Sequence, residues 1–110
     1  MAGLDANNST AEMTFGVVEG DDRTVIVTVS GELDITNVDA LGSAVAPALE
    51  HHPVRLIVDA HDLSFADSSA IALWVRWSTA VPEIELRDAP PLLRRVVDTM
   101  GLTDTLNVTP

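Results

Sequence analysis

Two strongly strand-forming runs, separated by a segment of helical periodicity, constrain the fold of this 110-residue chain more than any other feature. Residues 24–29 (TVIVTV) are β-branched throughout, and residues 54–59 (VRLIVD) are apolar enough for the centre of a sheet. Between them, apolar residues recur at helical spacing over residues 38–49. Because a helical crossover joins parallel strands, the two runs are predicted to lie parallel, with the helix on one face of the sheet.

The segments on either side extend this unit to the element order ββαβαβα. Residues 13–17 alternate between apolar and polar or small, and the acidic turn after them predicts an antiparallel hairpin with residues 24–29. Further helices are predicted over residues 69–79 and from Pro90 to Gly101, with a short strand between them and a turn or strand after them. We therefore expect one α/β domain, with a mixed sheet of four to five strands and three to four helices mainly on one face.

Helical spacing also predicts which side chains face the core. The predicted inward residues are Ile71, Trp74, Val75 and Ser78 in the second helix, and Leu93, Val96, Val97 and Met100 in the third. Trp77 lies at the border of the first stripe, where it either packs against the sheet or contacts a partner. At the start of the first helix, Thr36 and Asp39 have the spacing of a capping box.

Composition and charge limit the classes of function. The chain has no cysteine, which excludes disulfides, thiolate zinc sites and thiol redox chemistry. Its formal net charge of −11 disfavours nucleic acid and anionic membranes as direct partners, and it favours a basic protein surface or simply keeps the domain soluble. No long apolar run or signal-peptide pattern is present, so we expect a cytoplasmic protein without membrane insertion. Residues 1–11 are expected to be a flexible N-terminus, and residues 12–110 the domain.

No pattern in the sequence indicates catalysis, a metal site or a cofactor. His51 and His52 are neighbours beside a proline and do not converge on a metal without further ligands. Ser68 lacks the G-x-S-x-G surroundings of a nucleophile elbow, and no histidine can be assigned as its base. Glycine-rich nucleotide-binding motifs are absent as well. We therefore expect a binding protein that is not an enzyme and that has neither cofactor nor metal.

One segment, residues 62–71 (DLSFADSSAI), joins a predicted buried strand to a helix. Asp67, Ser68 and Ser69 occupy the cap and the first turn of that helix, where backbone N–H groups are free and the helix dipole is positive. Two interpretations follow from the local sequence. In the first, Asp67 or Ser68 serves only as the helix cap. In the second, the Ser68 hydroxyl is a site for a phosphate that the helix terminus tolerates. Capping does not exclude phosphorylation.

Three blocks of sequence, taken in order, resemble the STAS domain of bacterial anti-sigma factor antagonists. They are residues 31–34 (GELD), residues 62–69 (DLSFADSS) and residues 92–102 (LLRRVVDTMGL). Together they extend the resemblance over residues 12–108. The resemblance implies a single STAS-like domain.

The resemblance also implies a mechanism and a set of site residues. Ser68 matches the family's phosphorylated serine, so the chain is expected to bind an anti-sigma factor that is also a serine kinase, to be released by phosphorylation of Ser68, and to be restored by a phosphoserine phosphatase. The implied partner-binding residues are Asp34, Asp67, Ser68, Ser69, Ala70 and Ala72. Ala70 and Ala72 stand where the family usually or often has glycine. The chain is expected to be a monomer.

Residues 67–73 also resemble the STAS subunits of lipid-transporting ABC complexes, in which the equivalent loop contacts the ATPase. A regulatory subunit of such a transporter is therefore the alternative hypothesis. A nucleotide-hydrolysing domain is a third, supported only by the acidic loop residues.

Overall fold

The computed structural model describes residues 13–109, which contain four strands and four helices. The strands are β1 (Met13–Glu19), β2 (Thr24–Leu33), β3 (Arg55–Ala66) and β4 (Glu83–Arg87), and the helices are α1 (Val38–Leu49), α2 (Ser68–Ala80), α3 (Pro91–Thr99) and α4 (Thr103–Leu106). Residues 1–11, predicted to be a flexible N-terminus, lie outside the described residues.

The strands form one mixed sheet in the order β1-β2-β3-β4. The hairpin of β1 and β2 is antiparallel, whereas β3 lies parallel to both β2 and β4. This arrangement confirms the mixed sheet and the parallel crossover that the two strand-forming runs predict. Beyond β4, Val108 makes an isolated parallel bridge with Leu86, so the last described residues close that edge of the sheet.

The central strands are longer than the sequence pattern predicts. β2 continues to Leu33 and β3 to Ala66, and these two residues are partners across the parallel pair. The pairing passes an irregularity next to Gly31, whose φ of 88° favours glycine, and the Ser64 hydroxyl donates to the Gly31 carbonyl oxygen at 3.1 Å. The segment before Asp67 is therefore a strand, and a single residue separates β3 from α2.

The core lies between the sheet and the helices. Alternate residues of β2 and β3 are buried, namely Val25, Val27, Val29, Leu56, Val58 and Ala60. From α2 they meet five buried side chains, Ala70, Ile71, Leu73, Trp74 and Trp77. Burial of one large apolar side chain contributes roughly 1.5–3 kcal/mol, so these buried side chains stabilise the packing of α2 on the sheet.

The buried stripes of two helices differ from those predicted. Trp77 is only 4% exposed, so it packs in the core and does not face a partner, whereas Val75 and Ser78 are only half-buried. In α3, Leu93 and Val97 are buried, but Val96 and Met100 are exposed, and the prediction that these two face inward was wrong. Val96 precedes Val97 by one residue, a rotation of about 100°, which turns its side chain off the buried face. The predicted stop at the end of α3 is confirmed, since Gly101 has a φ of 74°.

Candidate functional site

Asp67 is the N-cap of α2. One of its carboxylate oxygens, Oδ1, accepts hydrogen bonds from the backbone N–H groups of Ser69 at 2.9 Å and Ala70 at 3.4 Å, and also from the Ser69 hydroxyl. These bonds satisfy donors that the first helical turn would otherwise leave free. The local sequence left Asp67 and Ser68 as alternative caps, and the structure assigns the capping to Asp67.

Ser68 is the first residue of α2 and is exposed. Within residues 13–109 its hydroxyl has no hydrogen-bond partner, because the capping is performed by the residue before it. A hydroxyl in this position is accessible to another protein.

The loop between β2 and α1 (residues 34–37) lies beside this helix terminus. The backbone N–H of Ile35 donates to Asp67 Oδ2 at 3.2 Å, and the backbone N–H of Asp67 donates to the carbonyl oxygen of Leu33 at 3.2 Å. Asp34 directly follows β2, and Asp67 directly follows β3. Because the two strands are parallel neighbours, the GELD block and the DLSFADSS block end at the same edge of the sheet.

Asn37 holds the same loop from the inside. Its side chain is 3% exposed, accepts a hydrogen bond from the Asp34 N–H at 2.9 Å and donates one to the Glu32 carbonyl oxygen at 2.9 Å. Asn37 is not among the predicted site residues, although an asparagine at the end of a loop is a recognisable turn signal.

The predicted capping box of Thr36 and Asp39 was wrong. Both the N–H and the hydroxyl of Thr36 donate to Asp34 Oδ1, at 2.9 and 2.5 Å. The helix begins at Val38, with Asn37 as its N-cap and without a side-chain cap bond. The Thr36 hydroxyl thus donates within the loop, and Thr36 does not cap the helix.

The electrostatics of the site are those of a charged carboxylate beside a neutral hydroxyl. Partial burial by itself raises the pKa of Asp67, but the hydrogen bonds from the Ser69 side chain and from the backbone of Ser69, Ala70 and Ile35 outweigh it and lower that pKa. Asp67 is therefore ionised at neutral pH. Among residues 13–109, no group of three or more metal-ligating side chains is positioned to hold a metal ion.

The structure brings together most of the predicted partner-binding residues. Ser68 and Ala72 are exposed, and Asp34, Asp67 and Ser69 are half-buried around them. Ala70 is fully buried and belongs to the core, so the prediction that its side chain lies on the contact surface was wrong. It lies one helical turn before Trp74, which places its methyl group on the sheet side of α2.

An apolar groove adjoins the site between the end of β3 and α3. Its lining consists of Leu63, Ser64, Phe65, Ala66, Pro90, Leu92, Leu93 and Val96. Phe65 and Leu92 are 50% and 68% exposed, and Ile35 in the neighbouring loop is 70% exposed. Such exposed apolar side chains beside a polar site are typical of a protein-binding surface. The groove has no local sequence signal, because its side chains come from elements that are distant in the chain.

Across the described part of the chain, none of the helices is both long and apolar enough to cross a membrane.

A family model described as "Mlab, STAS domain" matches residues 17–109. The chain belongs to the STAS domain family. No curated protein sequence matches it. The predicted family and fold are thereby confirmed.

Solved structures with the same fold include an anti-sigma factor antagonist from Mycobacterium paratuberculosis. It is 24% identical to this STAS domain, with a TM-score of 0.81, and the alignment covers 97% of this chain and 91% of that one. The anti-sigma factor antagonist SpoIIAA in its unphosphorylated form is 22% identical, with a TM-score of 0.76 and coverage of 88% and 89%. The Bacillus cell fate determinant SpoIIAA in its phosphorylated form is 22% identical, with a TM-score of 0.70 and coverage of 88% and 92%.

Proposed function

We propose that this STAS domain is an anti-sigma factor antagonist, which binds an anti-sigma factor with serine kinase activity and is released when that kinase phosphorylates Ser68. The observation that carries the proposal is the exposed hydroxyl of Ser68 at the first position of α2, next to a cap that Asp67 already provides. The three sequence blocks and the fold shared with two named anti-sigma factor antagonists support it.

The chemical step needs nothing from this chain except the hydroxyl. Ser68 Oγ attacks the γ-phosphorus of an ATP bound to the kinase, the bond from that phosphorus to the β–γ bridging oxygen breaks, and ADP leaves. The hydroxyl proton passes to a base on the kinase. A phosphoserine phosphatase reverses the modification by hydrolysis, so the STAS domain is a substrate in both directions and not a catalyst.

The added charge of a phosphate on Ser68 explains how phosphorylation would release the partner. A phosphate adds about −1.5 to −2 charges at pH 7, on a chain whose formal net charge is already −11 and beside the ionised Asp67. The positive end of the α2 dipole tolerates the dianion, so the domain stays folded. In a closed interface an unpaired dianion costs several kcal/mol, and about 4 kcal/mol weakens binding a thousandfold.

The surface around Ser68 suits a protein partner. Ser68, Ser69 and Ala72 are small and allow close approach, and Ile35 and Phe65 offer apolar contact area nearby. The proposal places the unphosphorylated, monomeric domain in the cytoplasm, where its partner and the sigma factor act.

A quantitative pull-down from the source organism tests the proposal. The baits are the wild type, Ser68→Ala, Ser68→Glu and, as a matched control, Thr79→Glu, which adds the same charge at the exposed opposite end of α2. We expect an ATP-binding anti-sigma factor on wild type, Ser68→Ala and Thr79→Glu, and its loss from Ser68→Glu. The purified partner should then transfer radiolabelled phosphate to the wild type but not to Ser68→Ala. Equal recovery on all four baits would contradict the switch.

The second candidate is a STAS regulatory subunit of a lipid-transporting ABC complex that contacts its ATPase. The sequence of residues 67–73 and the match to a family model described as "Mlab, STAS domain" support it. The same exposed start of α2 would then bind the ATPase. Recovery of permease and ATPase subunits on the baits would favour this candidate over the first.

A further inference from the structure

A single carboxylate joins the phosphoacceptor helix to the neighbouring loop. Asp67 Oδ1 accepts hydrogen bonds from the first turn of α2, and Oδ2 accepts one from the Ile35 N–H at 3.2 Å. The two oxygens belong to one rigid planar group. A rotation of the side chain that breaks one set of bonds therefore breaks the other as well.

Two hydrogen bonds hold the loop of residues 34–37 at the start of α2, namely this one and the bond that the Asp67 N–H donates to the carbonyl oxygen of Leu33 before the loop. Its inner side is held by Asn37, which bonds to Asp34 and Glu32 within the same segment, and its outer residue Ile35 reaches α2 through the Asp67 carboxylate. The Ile35 side chain is 70% exposed and points away from the core. The Asp67 carboxylate thus provides a side-chain contact that ties the Ile35 backbone to the start of α2.

A phosphate on Ser68 would compete directly with this carboxylate. The same N–H groups of Ser69 and Ala70 that now donate to Asp67 are the natural donors for a phosphate at the start of the helix. Two anions on adjacent residues also repel each other, and the dianion is the stronger acceptor.

We infer that Asp67 is a positioning residue that couples phosphorylation of Ser68 to the β2–α1 loop: the phosphate displaces the Asp67 carboxylate and so releases Ile35. This inference rests on the proposed function of Ser68 as phosphoacceptor. A partner that binds both α2 and the loop then loses an apolar contact at Ile35 in addition to meeting a new charge.

Amide NMR of the full chain tests the inference without any partner. In the unphosphorylated protein, the Ile35 amide proton should shift as Asp67 titrates, and Asp67→Asn should abolish that shift. Asparagine keeps one oxygen for the helix cap but presents an NH₂ group to the Ile35 N–H, so the helix remains capped. The matched control is Asp62→Asn, which removes an exposed carboxylate from β3 of the same block.

The decisive sample carries phosphoserine at position 68, introduced during translation. We expect its Ile35 amide to shift and to exchange with solvent roughly tenfold faster, as for the loss of one hydrogen bond. The Thr36 amide, which donates to Asp34, is the internal reference and should change less. An unchanged Ile35 amide in the phosphorylated protein, or in Asp67→Asn, would overturn the inference.

The outcomes separate the inference from the proposed function. If phosphorylation abolishes partner binding while the NMR signal of the Ile35 amide stays unchanged, the inferred coupling between Ser68 and the loop is wrong. The charge of the phosphate alone then explains the release of the partner. If the Ile35 amide moves as expected but no kinase modifies Ser68, the coupling is a property of the fold and the proposed function is wrong.

Discussion

The backbone N–H of Ile35 donates a hydrogen bond to the carboxylate of Asp67 at 3.2 Å, although the two residues are 32 positions apart in the chain. The contact exists because β2 and β3 are parallel neighbours that end together, which places the loop after one beside the helix after the other. The proposed phosphoacceptor site is therefore built from two crossover connections and not from one loop.

Replacement of Asn37 by alanine should destabilise the domain. The change leaves the Asp34 N–H and the Glu32 carbonyl without their buried partner, which costs about 1–3 kcal/mol in the free energy of unfolding. Urea denaturation measures this difference. Ser43→Ala, at an exposed position of α1, is the control and should change stability by less than about 0.5 kcal/mol. Equal stabilities would mean that Asn37 does not hold the loop.

Asp67 should make stability depend on acid pH. Its pKa is lowered in the folded protein, because hydrogen bonds from Ser69, Ala70 and Ile35 outweigh the opposing effect of burial. The ionised Asp67 carboxylate therefore stabilises the folded protein at pH values above the pKa of an unfolded aspartate, about 3.9. This stabilisation is lost as the pH falls through the lower pKa of Asp67 in the folded protein. The difference in unfolding free energy between wild type and Asp67→Asn should therefore shrink from neutral pH towards about pH 2. A difference that stays constant over this range would show that the ionised form is not favoured by folding.

The groove should contribute to partner binding. Phe65→Ser and Leu92→Ser remove exposed apolar side chains, so the fold should be retained while affinity for the purified partner falls by about tenfold or more. Isothermal titration measures the affinity, and thermal unfolding checks the fold. Val18→Ser is the matched control, because Val18 is 62% exposed on the edge strand β1 and does not line the groove. Equal losses for all three variants would show a general effect of surface polarity rather than a role of the groove.

His51 should titrate above its ordinary value. Its Nδ1 lies 2.6 Å from Glu19 Oε1, and this hydrogen bond, followed by the charge of the same carboxylate, raises the pKa of His51. The contact stabilises the fold fully below the unfolded pKa of about 6.5, and this stabilisation is lost as the pH rises through the higher folded pKa. An NMR titration of His51 in wild type and Glu19→Gln measures the shift, with Glu83→Gln as the control. An identical His51 pKa in wild type and Glu19→Gln would contradict the contact.

The sequence by itself predicts the elements and the place of Ser68 at the start of a helix. Strand-forming runs, helical spacing and a Pro–Gly bracket around α3 are local patterns, and they fix the mixed α/β fold and the end of α3 at Gly101. The DSS sequence after a strand also predicts that Ser68 opens a helix, because caps act within a few residues of the chain.

Only the tertiary structure decides how these pieces meet. The Asp67–Ile35 bond depends on the register of β2 against β3 and on the irregularity near Gly31. The burial of Ala70 and Trp77, and the exposure of Val96, depend on how far each helix is rotated against the sheet. Helical spacing predicts the buried face of a helix only to within about one residue, or 100° of rotation. Contacts between distant segments determine which of the remaining orientations the helix adopts. Local sequence therefore determines the elements and places Ser68 at the start of α2, whereas packing between distant elements determines the surface around it.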